Sequence, residues 1–282
     1  MTWDDFDRWA PLSLRGAAAQ LVTSGLLPEP EAAARVAEQF ADQLPAGIAT
    51  PLHHLWTVRS TGRDRSPVGH LWMRVRPSAL EVEAFVLDVE ILPELRGHGW
   101  GTAAMVAAEQ AARDVGASVV RLNVYGHNAA GIRLYEALGY DVVSATLLRV
   151  IDPHPPPAPP GTAPQRSGDL RVDGTEQHTG SAPRLWRAFE AGEPVADVWM
   201  RLERRSDGDH AFVQELRLWH LDRMPAVVVA VERACRELGV RSLTLSAPGS
   251  IPVHPSAPQV LVERCGFRGA AQTMAKALPA GD

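Results

Sequence analysis

The stretch Leu95-Arg96-Gly97-His98-Gly99-Trp100-Gly101-Thr102 stands between two runs of different period. Ahead of it, VEAFVLDVEIL (Val82 to Leu92) is apolar and acidic and reads as a strand; behind it, the Ala-rich AAMVAAEQAARDVG (Ala103 to Gly116) reads as a helix. Three glycines between a strand and a helix start let backbone N–H groups come close to an anion. The helix N-terminus adds partial positive charge. The loop therefore predicts a phosphate or pyrophosphate site. It is not a Walker A loop, which ends in Gly-Lys-Ser/Thr, because no lysine is present there. It is not a dinucleotide fingerprint either, since the glycines run Gly97-x-Gly99-x-Gly101 instead of G-x-G-x-x-G.

What fits is Arg-x-x-Gly-x-Gly, carried by Arg96, Gly99 and Gly101. Around it, residues 12–26 and 29–44 read as helices, with Ala33, Val36, Ala37, Phe40 and Leu44 at helical spacing in the second. HHLWTV (His53 to Val58) and VGHLWMRV (Val68 to Val75) read as strands. VVRLNV (Val119 to Val124) follows the long helix as a buried strand, then AAGIRLYEALGY (Ala129 to Tyr140) as a short helix capped by Gly139, then DVVSATLLRV as a strand. The loop motif, the later N…LYEALGY segment and the order αα-ββ-β-loop-α-β-α-β over residues 1–150 resemble the GNAT N-acetyltransferase superfamily.

Composition fits a soluble globular chain: 282 residues, 45% hydrophobic and 22% charged. A net charge of −5 argues against a broad nucleic-acid footprint. The acidic N-terminus MTWDDFDRWAPL has no apolar segment of signal-peptide type, and the longest purely apolar run, Ala226 to Val231, is far too short to span a membrane. Cys235 and Cys265 have no metal-ligand spacing, read as reduced thiols, and predict no metal site. A cytoplasmic protein is expected, and the Ala- and Arg-rich, Lys-poor composition points to a bacterial source.

IDPHPPPAPPGTAPQRSG (residues 151–168) holds seven prolines and reads as an exposed linker. Beyond it the first unit repeats. PVGHLWMRV (Pro67 to Val75) aligns with PVADVWMRL (Pro194 to Leu202), EAFVLDV with HAFVQEL, and LYEALGY with LVERCGF (Leu261 to Phe267). The offset is 127 at both ends (67 to 194, 134 to 261) and 123 between (109 to 232), so four residues are missing at the glycine loop. LWHLDRMPAVV answers that loop with a proline and no glycine, and Val262 answers Tyr135. The expectation is an α/β (α+β) chain of two tandem GNAT-like domains, each a mixed central sheet flanked by helices. Residues 1–150 would be catalytic, and 169–282 a degenerate copy without the pyrophosphate loop.

The resemblance implies acetyl-CoA as co-substrate, with its pyrophosphate on the backbone of Gly97, His98, Gly99, Trp100, Gly101 and Thr102, and Arg96 opening the loop. Val89 and Ile91 would offer backbone groups to the pantetheine arm, and a backbone N–H there would polarise the thioester carbonyl. Asn128 matches a position that contacts CoA in the family, and is equally placed as a helix N-cap. Tyr135 would protonate the departing thiolate. A base is needed for an ammonium acceptor. Glu83, thirteen residues before Arg96, and Asp88, nearer the thioester end, are the candidates, and proton loss through water is an alternative. Simple alternation places Glu81 and Glu83 on one face of the strand and Asp88 and Glu90 on the other, unless a bulge intervenes; the resemblance implies that one is common here, so counting leaves the facing open. His53 and His54 read as surface or capping residues. The implied activity is acetyl transfer to a primary amine by direct attack on the thioester. The rival is a non-catalytic acyl-CoA-binding or scaffold protein. The acceptor is open, and a homodimer is compatible with the sequence.

Overall fold

The structure, a computed structural model, describes residues 1–61, 65–152, 171–174, 184–248 and 257–279. The Pro-rich segment read as a linker lies outside them from residue 153 to 168. The chain divides into two compact units, residues 1–143 with the C-terminal segment from Gln272, and residues 144–271.

The first unit opens with helices α1 (Trp3–Ser24) and α2 (Glu29–Gln43). Helix α1 starts nine residues earlier than the spacing predicted, before Pro11 instead of after it. The reason is a capping box: Thr2 Oγ1 accepts from Asp5 N, and the Asp5 carboxylate accepts from Thr2 N. An interior proline costs about 3 kcal/mol. Burial of Trp9 among Phe6, Phe40 and Trp72 offsets that cost. Strands β1 (His53–Arg59), β2 (Pro67–Pro77) and β3 (Val82–Ile91) form an antiparallel meander. Helix α3 (Trp100–Asp114), strand β4 (Val119–Tyr125) and helix α4 (Ala129–Ala137) follow, and β4 pairs parallel to β3. Helices α1 and α2 cover one face of this sheet over Trp72, and the core under Met73, Ala84 and Val86 takes α3 and α4 on the other.

The second unit has strands β6 (Arg171–Gly174), β7 (Arg184–Glu190), β8 (Glu193–Arg205) and β9 (Gly208–Leu218), helix α5 (Met224–Glu237), strand β10 (Val240–Pro248) and helix α6 (Ala257–Cys265). β6 to β9 are antiparallel neighbours and β10 lies parallel to β9. Both units are thus mixed sheets flanked by helices. None of the described helices is long and apolar enough to cross a membrane.

The compact units do not coincide with the sequence repeat, because each repeat gives its last strand to the other unit. Strand β5 (Asp141–Val150) ends the first repeat, yet Ser144 to Val150 pair antiparallel with β10. Strand β11 (Arg268–Ala277) ends the second repeat, yet from Gln272 it belongs with β4: Thr273 Oγ1 donates to Asn123 Oδ1 at 2.8 Å and Leu278 N donates to Ser118 O at 2.8 Å. The same two anchors recur in each unit. Leu147 and Ile151 fill the second core, as Met274 and Leu278 fill the first. Ile151 N donates to Arg241 O as Leu278 N does to Ser118 O.

A charge pair locks each exchanged strand. Glu109 on α3 is buried and accepts from Lys276 Nζ at 2.9 and 2.7 Å. Its repeat partner Glu232 on α5 accepts from Arg149 Nη2 at 2.7 Å. Lys276 is the single lysine of the chain. Without Lys276 the buried Glu109 keeps only Arg113 Nη2, 3.7 Å away, as a cation; removing one member of a buried pair typically costs 3–5 kcal/mol. Lys276 keeps about a quarter of its side chain in solvent. Lys276→Met should therefore lower unfolding free energy by roughly 2–3 kcal/mol in urea titration. Adding Glu109→Gln should restore more than half of that loss. A single-variant loss below about 0.5 kcal/mol would mean the pair does not hold the strand.

Candidate active site

The site begins with one extra residue. Trp72 faces Asp88 across the β2–β3 ladder, whereas Met73 faces Val86, so Leu87 has no partner and forms a bulge. The bulge reverses the alternation. Asp88 and Glu90 stand with Trp72 and His70 on the face that α1 and α2 cover, the same face as Glu83, instead of opposite it. It also marks the end of the parallel ladder: β3 pairs with β4 only from Glu83 to Val86. Beyond it the two strands part. Leu92 N donates to Val68 O on β2, so by alternation the N–H groups of Ile91 and Val89 turn to the open side. The Ile91 carbonyl is taken, since Arg96 Nε donates to it at 2.9 Å. From Ile91 only the N–H remains for a ligand.

The glycine loop follows the end of β3, beyond the last β3–β4 pair. Gly97 and Gly99 have φ of 79° and 82°, a left-handed conformation that disfavours side chains, and a Cβ at either would meet nothing within 4 Å. Gly99 is the N-cap of α3 and offers no side-chain cap, so the first-turn N–H groups of α3 stay available to an anion. Gly101 serves packing, because its Cβ would press on Leu134 Cδ2 at 3.3 Å. His98 Nδ1 lies 2.8 Å from Arg96 O and donates to it, so this ring braces the loop. Trp100 starts the helix. The Arg96 guanidinium also reaches Glu90 Oε1 at 3.4 Å. These features fit a pyrophosphate held by backbone donors, with pantetheine lying in the gap.

Four side chains, Ser13, His70, Asp88 and Glu90, gather on the α1 side of the sheet. Asp88 Oδ2 accepts from Ser13 Oγ of α1 at 2.9 Å and lies 3.0 Å from His70 Nε2. Glu90 Oε2 lies 3.8 Å from the same nitrogen. Tyr135 of α4 is buried, and its phenol is pushed up to about 12 by burial and then by the negative charge of Asp88. Tyr135 therefore lies within electrostatic reach of Asp88 and stays protonated across ordinary pH. The other candidates are placed elsewhere. Glu83 Oε2 sits 2.8 Å from Arg121 Nε, in the paired stretch before the bulge. Asn128 caps α4 by accepting from Gly131 N at 3.0 Å. His53 Nδ1 accepts from Trp72 Nε1 at 2.9 Å; burial, then Arg74 and His54, push its pKa down. His54 stacks on Trp56. Sequence reasoning missed His70 and Ser13. The one signal for His70 was its strand parity with Trp72, which points to Asp88 only once the bulge is known.

Residues 21–140 match the Acetyltransferase (GNAT) family. The N-acetyltransferase YycN of Bacillus subtilis is 38% identical over 123 residues, 42% of this chain and 78% of that protein. The chain belongs to the GNAT acetyltransferases. A second Bacillus subtilis N-acetyltransferase, YdgE, is 29% identical over 140 residues, covering 50% of this chain and 88% of its own length. The crystal structure of YycN aligns with a TM-score of 0.47 at 32% identity, over 50% of this chain and 88% of that one. A tandem GNAT protein from the clavulanic acid biosynthesis pathway aligns over 83% of this chain at 17% identity, with a TM-score of 0.39.

The second GNAT-like repeat is an internal control. It keeps the bulge, with Trp199 facing Glu215 and Met200 facing Val213, but not the chemistry. Asp197 stands where His70 does and binds Arg187 at 2.7 Å; Glu215 stands where Asp88 does and binds Arg217 at 2.6 Å. Arg217 lies over the Trp199 ring, 5.0 Å from its centroid. Helix α5 starts directly on Met224-Pro225 with no glycine. Among the described residues no group of three or more His, Cys, Asp or Glu is placed to hold a metal.

All three tyrosines are raised, Tyr125 and Tyr140 by burial as well as Tyr135. A phenol raised in the fold stabilises it fully below the unfolded value of about 10 and loses that contribution as pH climbs through the folded value. Ultraviolet titration of the native chain should show almost no tyrosinate at pH about 10, with absorbance rising only as the chain unfolds at higher pH. Half-titration near pH 10 in the folded chain would contradict the burial of these phenols.

Proposed function

We propose that the first unit transfers the acetyl group of acetyl-CoA to a primary amine by direct attack on the thioester. The observation that carries this reading is the gap between β3 and β4 beyond Leu87, flanked by the glycine loop and by Tyr135. The α3 N-terminus and the left-handed Gly97 and Gly99 would hold the pyrophosphate, with Arg96 at the loop's base. The Val89 and Ile91 N–H groups would lie along pantetheine and receive the thioester oxygen as it gains charge. Tyr135 would give its proton to the CoA thiolate. Asp88 and Glu90, with Trp9 and Trp72 beside them, suit a cationic acceptor. The second repeat, without loop, phenol or opening helices, would bind no acetyl-CoA and would serve the first unit by completing its sheet.

Calorimetry with acetyl-CoA and thiol release over a panel of primary amines test this. Arg96→Glu with Gly99→Trp should abolish binding. Tyr135→Phe should bind as the parent does and turn over about a hundredfold more slowly. Equal turnover by Tyr135→Phe would remove the phenol from the reaction. Tight binding without thiol release on any amine would favour the scaffold reading.

A further inference from the structure

Resting on the acetyltransferase reading above, we propose that His70 is the base that takes the proton of the acceptor ammonium, and that Asp88 is its positioning residue and not the base. The Asp88 Oδ2 atom is already committed to two donors, Ser13 Oγ at 2.9 Å and His70 Nε2 at 3.0 Å. That arrangement fixes the imidazole with Nε2 protonated and leaves Nδ1 as the proton acceptor, the logic by which a carboxylate orients a catalytic histidine. The ring is further held edge-on by Trp9, with centroids 5.4 Å apart. Its side chain is 14% exposed, so it is wedged in place yet open to solvent.

The groups around the ring come from three elements. Strand β3 supplies Asp88 and Glu90, the latter also 3.4 Å from Arg96 Nη2. Helix α1 supplies the uncharged Trp9 and Ser13, and β1 places Thr57 opposite, whose hydroxyl donates to the Asp5 carboxylate of α1 at 3.0 Å, itself 3.5 Å from Arg59 Nη2. Tyr135 is within electrostatic reach of Asp88 and stays a neutral phenol. An imidazole can take a proton at one nitrogen while the other stays hydrogen-bonded, whereas the Asp88 Oδ2 lone pairs are already engaged by Ser13 and His70. The two carboxylates then stabilise the imidazolium that forms. The repeat supports the pairing: Asp197 and Glu215 replace His70 and Asp88 in the half that also lacks the loop and the phenol, and each there binds an arginine instead.

The balance of the reaction is as follows. R–NH3⁺ gives one proton to His70 Nδ1. The freed lone pair forms the C–N bond at the thioester carbon, and the carbonyl pair moves to oxygen. Collapse breaks the C–S bond, the thiolate takes the Tyr135 proton, and the tyrosinate recovers a proton from the substrate nitrogen. The imidazolium releases its proton to water. The products are amide, CoASH and one H⁺.

The experiment is thiol release from acetyl-CoA as a function of pH, with a primary alkylamine, a polyamine and hydroxylamine as probes. Calorimetric acetyl-CoA binding and thermal melting check each variant. For His70→Gln, kcat/KM for the cationic amines should fall about a hundredfold and lose its ascending limb, while hydroxylamine, already neutral, should lose less than about fivefold. Asp88→Asn should lose about tenfold and keep the limb, moved to lower pH because the imidazolium has lost its counter-charge. An unchanged His70→Gln, or equal losses for hydroxylamine and alkylamine, overturns the proposal while leaving the acetyltransferase reading intact. Should His70→Gln not fold, an Asp88→Asn profile with no limb at all overturns it. A parent chain that binds acetyl-CoA and releases no thiol with any amine overturns both.

Discussion

The unpaired residue Leu87 is the constraint on which the site depends. One extra residue in β3 does three things at once. It ends the ladder to β4, frees the Val89 and Ile91 N–H groups, and turns Asp88 and Glu90 to the side where α1 lies. Without it, Asp88 would point into the core beside Met105 and Ala108, where an ionised carboxylate has no partner. The glycine loop follows the strand that the bulge interrupts, and Tyr135 is within electrostatic reach of Asp88, the residue that the bulge turns.

The second constraint is the exchange of strands between repeats. Each repeat lacks the strand that would complete its own unit and receives the equivalent strand of the other. The Glu109–Lys276 and Glu232–Arg149 pairs show why the exchange is specific: each buried acid lies on the helix after β3 or β9, and its cation arrives on the donated strand. A buried carboxylate without its cation is costly, so the wrong strand in that place is penalised. This gives the second half a physical task although it lacks the loop. Its terminal strand carries Met274, Lys276 and Leu278 into the unit that holds the site.

Much of this was legible in the chain itself. The Arg96–Gly101 spacing between strand and helix, the LYEALGY segment and the 127-residue repeat give the family, the fold class and the position of the loop, because backbone conformation and hydrophobic period are local properties. The start of α1 was misplaced because Pro11 reads as a boundary, while the Thr2–Asp5 box and the burial of Trp9 outweigh it. His70 has no local signal, being a lone histidine in a strand; its partners Asp88 and Trp9 are 18 and 61 residues away.

The sequence by itself determined the strand–glycine loop–helix arrangement, the absence of those glycines from the second repeat and the phenol at position 135. These depend on residue types a few positions apart. Tertiary structure alone decided which carboxylate faces the site, which histidine joins it and which strand closes each sheet. A bulge shifts register by one residue, and a strand exchange joins residues more than 150 positions apart; in both, packing and buried charge select among arrangements that the local sequence allows equally.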